Sequence, residues 1–366
     1  MIKLSKPHIP DTAFDKIKEV LSSGNLVQGK FVLEFEDSLK KYLNSGNAIV
    51  VSSGTAALHL ALISLNIKKG DEVIVPAFTF PATANVVEMV GARPVFIDIR
   101  LDDFCIDTNQ IEKKITKKTK AIIPVHEFGQ SAEMDKIVDI ATRHNLFIIE
   151  DAACALGTEF HNKKAGTFGH LGCFSFHPRK AITTGEGGVI VTDNNELAEK
   201  IRSLRNHGIQ YKNGKTDFVF AGLNYRMTDF QAALGVVQLQ EIDKIIDERI
   251  GQAQIYNQYL SEINWIKPPC IFSGRKMIFQ TYHILIDNSM DRNQLMISLK
   301  RKGIEVNYGA YALNKLSYFN QKYSFNENEF PNAVLAFLQG IALPIGHHLD
   351  IKSQKKVFNV LNGFSR

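Results

Sequence analysis

Asn47-Ala-Ile-Val-Val-Ser-Ser-Gly-Thr-Ala-Ala-Leu-His-Leu-Ala-Leu-Ile-Ser-Leu65 holds a strand, a turn and a helix in one unbroken run. Asn47–Val51 is short, apolar and β-branched, as a strand buried on both faces must be. Ser52-Ser-Gly-Thr55 interrupts it, and Ala56–Leu65 then follows a helical pattern. The unit recurs outward. Asp71–Val75, Arg93–Asp98, Lys120–Val125 and Leu146–Glu150 read as further strands, and Ala82–Val90 as a second helix. This alternation, from about residue 47 to about 195, predicts an α/β fold around a mostly parallel sheet with both faces covered. Such sheets bind ligands beyond the carboxyl ends of their strands, so the segment after each strand is the place to look for function. From Gly235 to about residue 265 one long helix is expected to lead into a smaller C-terminal domain. That domain would contain the strand Tyr282–Ile286 and the helix Arg292–Lys302, stopped by Gly303. The chain is thus divided into a large domain, 1–245, and a small one, 246–366.

Composition narrows the possibilities. The chain has 366 residues, 45% hydrophobic and 22% charged, enough for a large core and for two or three domains. A net charge of +5 is spread along the sequence with no basic arm, so a small anionic ligand explains it better than nucleic acid. Cys105, Cys154, Cys173 and Cys270 show no paired spacing, which argues against a disulfide framework or a zinc site and fits a reducing cytoplasm. The N-terminal Met-Ile-Lys-Leu-Ser-Lys-Pro-His-Ile-Pro has no apolar signal core, and no run suits a membrane span. A cytoplasmic protein without a nucleic-acid or membrane partner is expected.

The segments after the strands carry the candidate chemistry. Ser53-Gly54-Thr55 opens a helix, whose start offers free amides and a positive dipole end; it reads as a phosphate cradle or simply as an N-cap. Phe80 reads as a ring stacked on a planar cofactor or as one of the chain's 24 core phenylalanines. Asp151 ends a buried strand and needs a partner, which a protonated pyridine nitrogen or the next helix could supply. Ala152, Ala153 and Gly157 leave room beside it. Gly172-Cys-Phe-Ser-Phe-His-Pro-Arg-Lys-Ala-Ile-Thr-Thr-Gly-Glu-Gly-Gly188 then sets Lys180 between an apolar run and a glycine-rich turn. A lysine amine held there, partly out of water, suits Schiff-base chemistry with a carbonyl or with pyridoxal phosphate better than a solvated surface role. Ser175 could add a hydroxyl to a phosphate, and His177 reads as a packed structural histidine. No Gly-x-Gly-x-x-Gly follows the first strand, so a nicotinamide enzyme lacks support.

In this order the residues resemble the pyridoxal-phosphate sugar aminotransferases of the DegT/DnrJ/EryC1/StrS family. The likeness runs through Ser22–Gly29, Ser53–Leu62, Gly70–Pro76, Pro124–Gly129, Glu150–Ala153, Phe174–Gly188 and Asn206–Asp229, and is looser near Tyr308 and Leu343-Pro344. The resemblance implies a fold-type I, aspartate-aminotransferase-like fold and a homodimer whose sites are shared between subunits. It implies that Lys180 is the internal-aldimine lysine and proton shuttle, that Asp151 pairs with the pyridine nitrogen, and that Phe80 stacks on the ring. Gly54, Thr55 and Ser175 would hold the phosphate, and Asn224 would reach the phosphate of the neighbouring subunit's cofactor. Two positions depart from the family: Cys154 stands where Gln or His usually holds the cofactor's ring hydroxyl, and Ala181 where Asn usually follows the lysine. The tail Thr183-Thr-Gly-Glu-Gly-Gly188 resembles the perosamine-synthase-like branch that aminates 4-keto sugars. The substrates implied are L-glutamate and a nucleotide-diphosphate 4-keto-6-deoxyhexose, with a 3-keto-sugar aminotransferase or a sugar dehydratase of the same family as alternatives. Relatives of the dehydratase kind carry histidine in place of the lysine, which Lys180 argues against; the intact set of Asp151, Ser175 and Lys180 argues against a purely regulatory relative. Sugar contacts are expected in the loops 25–30, 207–222 and 306–318, and Lys212 and Lys215 read as solvated rather than diphosphate-binding.

Overall fold

A computed structural model describes residues 1–326 and 328–364. Its centre is a seven-stranded sheet built from β1 (Asn47–Val51), β2 (Glu72–Pro76), β3 (Arg93–Ile97), β4 (Thr119–Ile122), β5 (Phe147–Asp151), β6 (Leu171–Ser175) and β7 (Gly188–Thr192). Their spatial order is β1-β7-β6-β5-β4-β2-β3. β3, β2, β4, β5 and β6 run parallel to their neighbours, whereas β7 is antiparallel to both β6 and β1. The sheet is therefore mostly parallel, as expected, with one reversed strand. A parallel return needs a crossover, usually helical, and residues 176–187 form no helix, so the chain comes back antiparallel. That short return is the segment carrying Lys180.

The core explains why the strands are unbroken apolar runs. Along β1, Ile49 and Val51 join one buried cluster while Ala48 and Val50 join another, because successive side chains point to opposite faces. The helix Gly54–Ser64 packs on β6 and β7 on the first face. On the second, Phe35 and Leu39 of the helix Lys30–Leu43 meet Phe174, Phe176 and Val189.

Beyond the sheet the expected long helix is two helices, Asp229–Leu239 and Ile242–Leu260. The first begins before Gly235 because Gln231 Oε1 accepts from the Thr228 amide at 3.0 Å, capping the helix there. Gly235 lies inside it, where a Cβ would stand 2.5 Å from the Phe35 ring; the glycine serves helix packing rather than helix initiation. Residues 245 and 246, the expected domain division, fall inside Ile242–Leu260, which packs against Ile351–Asn362. The C-terminal region builds an antiparallel sheet of β8 (Ile266–Lys267), β9 (Tyr282–Ile286) and β10 (Gly340–Leu343), in that order. It also reaches back to the main sheet: Tyr311-Ala312 pairs with Phe78-Thr79, just beyond β2. Among the described residues no helix is long and apolar enough to cross a membrane.

Candidate active site

The carboxyl ends of β1, β2, β4, β5 and β6 open into one cavity of ≈ 440 Å³. Gly54, Thr55, Phe80, Asp151, Ser175 and Lys180 all line it. Six of the seven residues singled out in the sequence thus converge. The seventh, Asn224, is exposed, bridges Asn206 and does not line the cavity of its own chain. Of the loops expected to contact a sugar, 306–318 contributes Asn307, Gly309 and Ala310. Residues 25–30 instead line a separate cavity of ≈ 490 Å³ closed by Asp229.

The lysine loop is held at several points. Phe176 is fully buried, and its carbonyl accepts from the Thr183 hydroxyl at 2.8 Å and the Thr184 amide at 3.0 Å. Gln238, also fully buried, accepts from the Thr183 amide at 3.0 Å and donates to the Thr183 carbonyl at 2.6 Å. Gln280 donates to the Arg179 carbonyl at 2.6 Å. Lys180 therefore sits on a fixed backbone while its side chain stays half-buried. Its Nζ donates to Cys154 Sγ at 3.0 Å. Burial pushes the Cys154 thiol up and the Lys180 charge opposes that shift.

Two acids end β5, and pleating sends them to opposite faces. Glu150 turns away from the cavity and accepts from the amides of Gly166, Phe168 and Gly169 at 2.7, 2.6 and 2.6 Å. His126 Nε2 donates to it at 2.9 Å, because His126 Nδ1 accepts from the Ala132 amide at 3.2 Å. Asp151 faces the cavity. It accepts from the Thr83 hydroxyl at 2.7 Å and the Ala153 amide at 3.1 Å. Burial pushes its carboxyl up, against these hydrogen bonds and the Lys180 charge. A cation placed over Asp151 would reverse that penalty.

The start of the helix Gly54–Ser64 supplies the opposite polarity. Ser53 Oγ accepts from the Ala56 amide at 3.0 Å and so caps the helix. Helix geometry leaves the amides of Gly54 and Thr55 without intrahelical acceptors, a ready anion site. A Cβ at Gly54 would stand 2.8 Å from Ser175 Cβ, so only glycine lets this turn close on the end of β6. The N-cap and phosphate readings are thus compatible: Ser53 caps, and the next two amides stay open. Phe80 is 58% exposed, which removes it from the core and leaves its ring over the cavity mouth beside Tyr311 at 6.5 Å between centroids.

Together these residues supply an anion cradle, an aromatic face, a buried carboxyl and an amine, which are the complements of pyridoxal phosphate's phosphate, ring, ring nitrogen and aldehyde. The residues present fit that group. Glu127 was not foreseen. It lies in the turn after β4, is buried and lines the same cavity. Its signal was an acid in the short loop after an apolar strand, in His126-Glu-Phe-Gly129.

The sheet topology and the cavity define an α/β enzyme of the pyridoxal-phosphate aminotransferase class. Residues 7–362 match the DegT/DnrJ/EryC1/StrS aminotransferase family, and the chain belongs to it. A GDP-perosamine synthase from Caulobacter vibrioides is 39% identical over 83% of this chain and 83% of its own. A UDP-4-amino-4,6-dideoxy-N-acetyl-beta-L-altrosamine transaminase from Campylobacter jejuni is 35% identical over 99% of this chain and 96% of its own. The PMP-form of the putative sugar aminotransferase Spr1654 from Streptococcus pneumoniae superposes with a TM-score of 0.94 at 28% identity, covering 98% of both chains. A PLP-form of that protein matches as well.

Proposed function

We propose that this enzyme transfers the amino group of L-glutamate to a nucleotide-diphosphate 4-keto-6-deoxyhexose, giving a 4-amino-4,6-dideoxy sugar nucleotide for polysaccharide biosynthesis. The observation that carries this reading is that Lys180 and Asp151 line one cavity with Ser175 and the open helix start at Gly54-Thr55. Bound pyridoxal phosphate supplies the electron sink and carries the amine between half-reactions. Lys180 would hold the cofactor covalently through Nζ, and the same amine, when free, would take the proton from the donor's α carbon and give one to the sugar carbon. Asp151 would hold the proton on the ring nitrogen, Phe80 would cover a ring face, and Gly54, Thr55 and Ser175 would hold the phosphate.

The name of the Campylobacter jejuni relative, which sets an amine at carbon 4, supports the choice of carbon 4 over carbon 3. The two relatives bear different nucleotides in their names, GDP and UDP, so the nucleotide is left open. We assign Asn224 to the partner's cofactor in a cytoplasmic homodimer. Its exposure outside its own cavity supports that, as do the exposed Phe14, Leu21, Leu33 and Phe230 on neighbouring helices. The large and small domains are taken as 1–245 and 246–366. The test is a panel of dTDP-, UDP- and GDP-linked 4-keto and 3-keto sugars with glutamate, read by product mass and by the NMR position of the new amine. Amination at carbon 3, or a deoxy-sugar product, would overturn the assignment.

A further inference from the structure

Among the described residues, Glu127 is the one buried acid of the cavity with an unpartnered oxygen. Thr79 donates its hydroxyl to the side chain, while Oε2 is buried with no hydrogen-bond partner. The backbone around it is bent to make this possible. Phe128 adopts φ 57°, a left-handed conformation unusual for a bulky residue, and is fixed there by stacking on His283 at 4.4 Å. Four groups face Glu127: Asp151 from the end of β5, Cys154 from the turn after it, Lys180 from the lysine loop, and Cys105 from the loop after β3. None of them hydrogen-bonds Oε2, and the Lys180 amine donates to Cys154 instead. Burial and the nearby Asp151 push the Glu127 carboxyl up to about 8, so it enters the neutral range as an acid able to donate.

We infer that Glu127 is a positioning residue that donates a hydrogen bond from its free oxygen to the ring oxygen of the cofactor held by Lys180. This rests on the reading of Lys180 as the covalent lysine. Cys154 offers only a weak donor at the cavity, and Glu127 supplies the strong one from the neighbouring strand end. A donor on the ring oxygen competes for the electron pair that otherwise helps hold the proton on the Lys180 linkage nitrogen. That nitrogen therefore loses its proton at lower pH when Glu127 is present.

Two measurements test it. In the cofactor-free protein at neutral pH, infrared difference spectra between wild type and Glu127→Gln should show a protonated-carboxyl C=O stretch that fades as pH rises through about 8. In the loaded protein, a spectrophotometric pH titration should place the midpoint of Glu127→Leu about one unit above wild type, the equivalent of one lost charge-assisted hydrogen bond. Cofactor loss on dialysis should be about tenfold faster in that variant. Glu127→Gln, which keeps a donor, should fall between the two and covers the case in which the leucine variant fails to fold. A Glu127→Leu protein that titrates and retains cofactor like wild type would overturn the inference, as would a missing carboxyl band. Borohydride reduction and peptide mass separate this failure from that of the underlying reading: a label on Lys180 with an unmoved titration sinks only Glu127, whereas no label on Lys180 sinks the covalent lysine.

Discussion

Glu150 and Asp151 are neighbours in sequence and both buried, yet their surroundings differ. On the outer side of the strand end, Glu150 takes three backbone amides and one imidazole. On the cavity side, Asp151 takes one hydroxyl and one amide, and its carboxyl is pushed up by burial. A buried carboxylate surrounded by donors serves the fold, because its desolvation is offset within the protein. One left short of donors beside a cavity is kept for a ligand that brings its own positive charge. The same contrast extends one strand over, where His126 is tied to Glu150 and the next residue, Glu127, faces the cavity with an oxygen free.

The comparison can be broken from either side. The largest effect is expected for Lys180→Ala, which should lower transamination by more than about a thousandfold because the covalent anchor and the proton carrier proposed at this position would both be lost. Retained turnover, followed by 2-oxoglutarate release, would remove the cavity side of the comparison altogether. Asp151→Asn should come next, lowering the rate by roughly a hundredfold or more with little loss of thermal stability. Glu150→Ala should do the reverse. Leaving three amides and an imidazole unsatisfied should cost about 3 kcal/mol or more of stability, seen by denaturant unfolding, while molecules that do fold still bind cofactor. If both acid variants lost stability alike, or both lost rate alike, the division of labour between the two faces would be wrong. Gly54→Ala sharpens the cradle: its Cβ would meet Ser175 Cβ at 2.8 Å, and an overpacking cost of ~1–3 kcal/mol should loosen cofactor retention about tenfold.

The smallest effect is a pH slope. The Glu127 carboxyl is raised on folding, so the folded state holds its proton more tightly than the unfolded chain. The contribution is full below the ordinary carboxylate range and is lost as pH rises through about 8. The melting temperature of the cofactor-free protein should fall across that window, and Glu127→Gln should flatten the fall by roughly 2–4 °C.

Much of the fold could be read from patterning. β1, β2, β5 and β9 lie within a residue or two of their expected limits, because a buried strand must be a short apolar run whatever surrounds it. β7 was not expected, since its direction depends on the length and helix content of the return before it rather than on its own residues. The break between Asp229–Leu239 and Ile242–Leu260 was also missed, because a glycine that makes room for Phe35 looks the same in sequence as one that ends a helix. Gln238 could not be foreseen as a clamp on Thr183, since nothing local marks a contact between positions so far apart.

By itself, then, the sequence determined the alternation of strands and helices, the order of the cavity residues, and the choice of Lys180 and Asp151 as candidates, all of which depend on local pattern or on chemistry that few residue types can perform. The tertiary structure decided which acid faces the cavity, which helix-start amides remain open, and that Glu127 keeps an unpartnered oxygen there while Cys154 is taken by Lys180. Those choices depend on pleat direction, on a left-handed Phe128 and on desolvation, and each is set by neighbours distant in the chain.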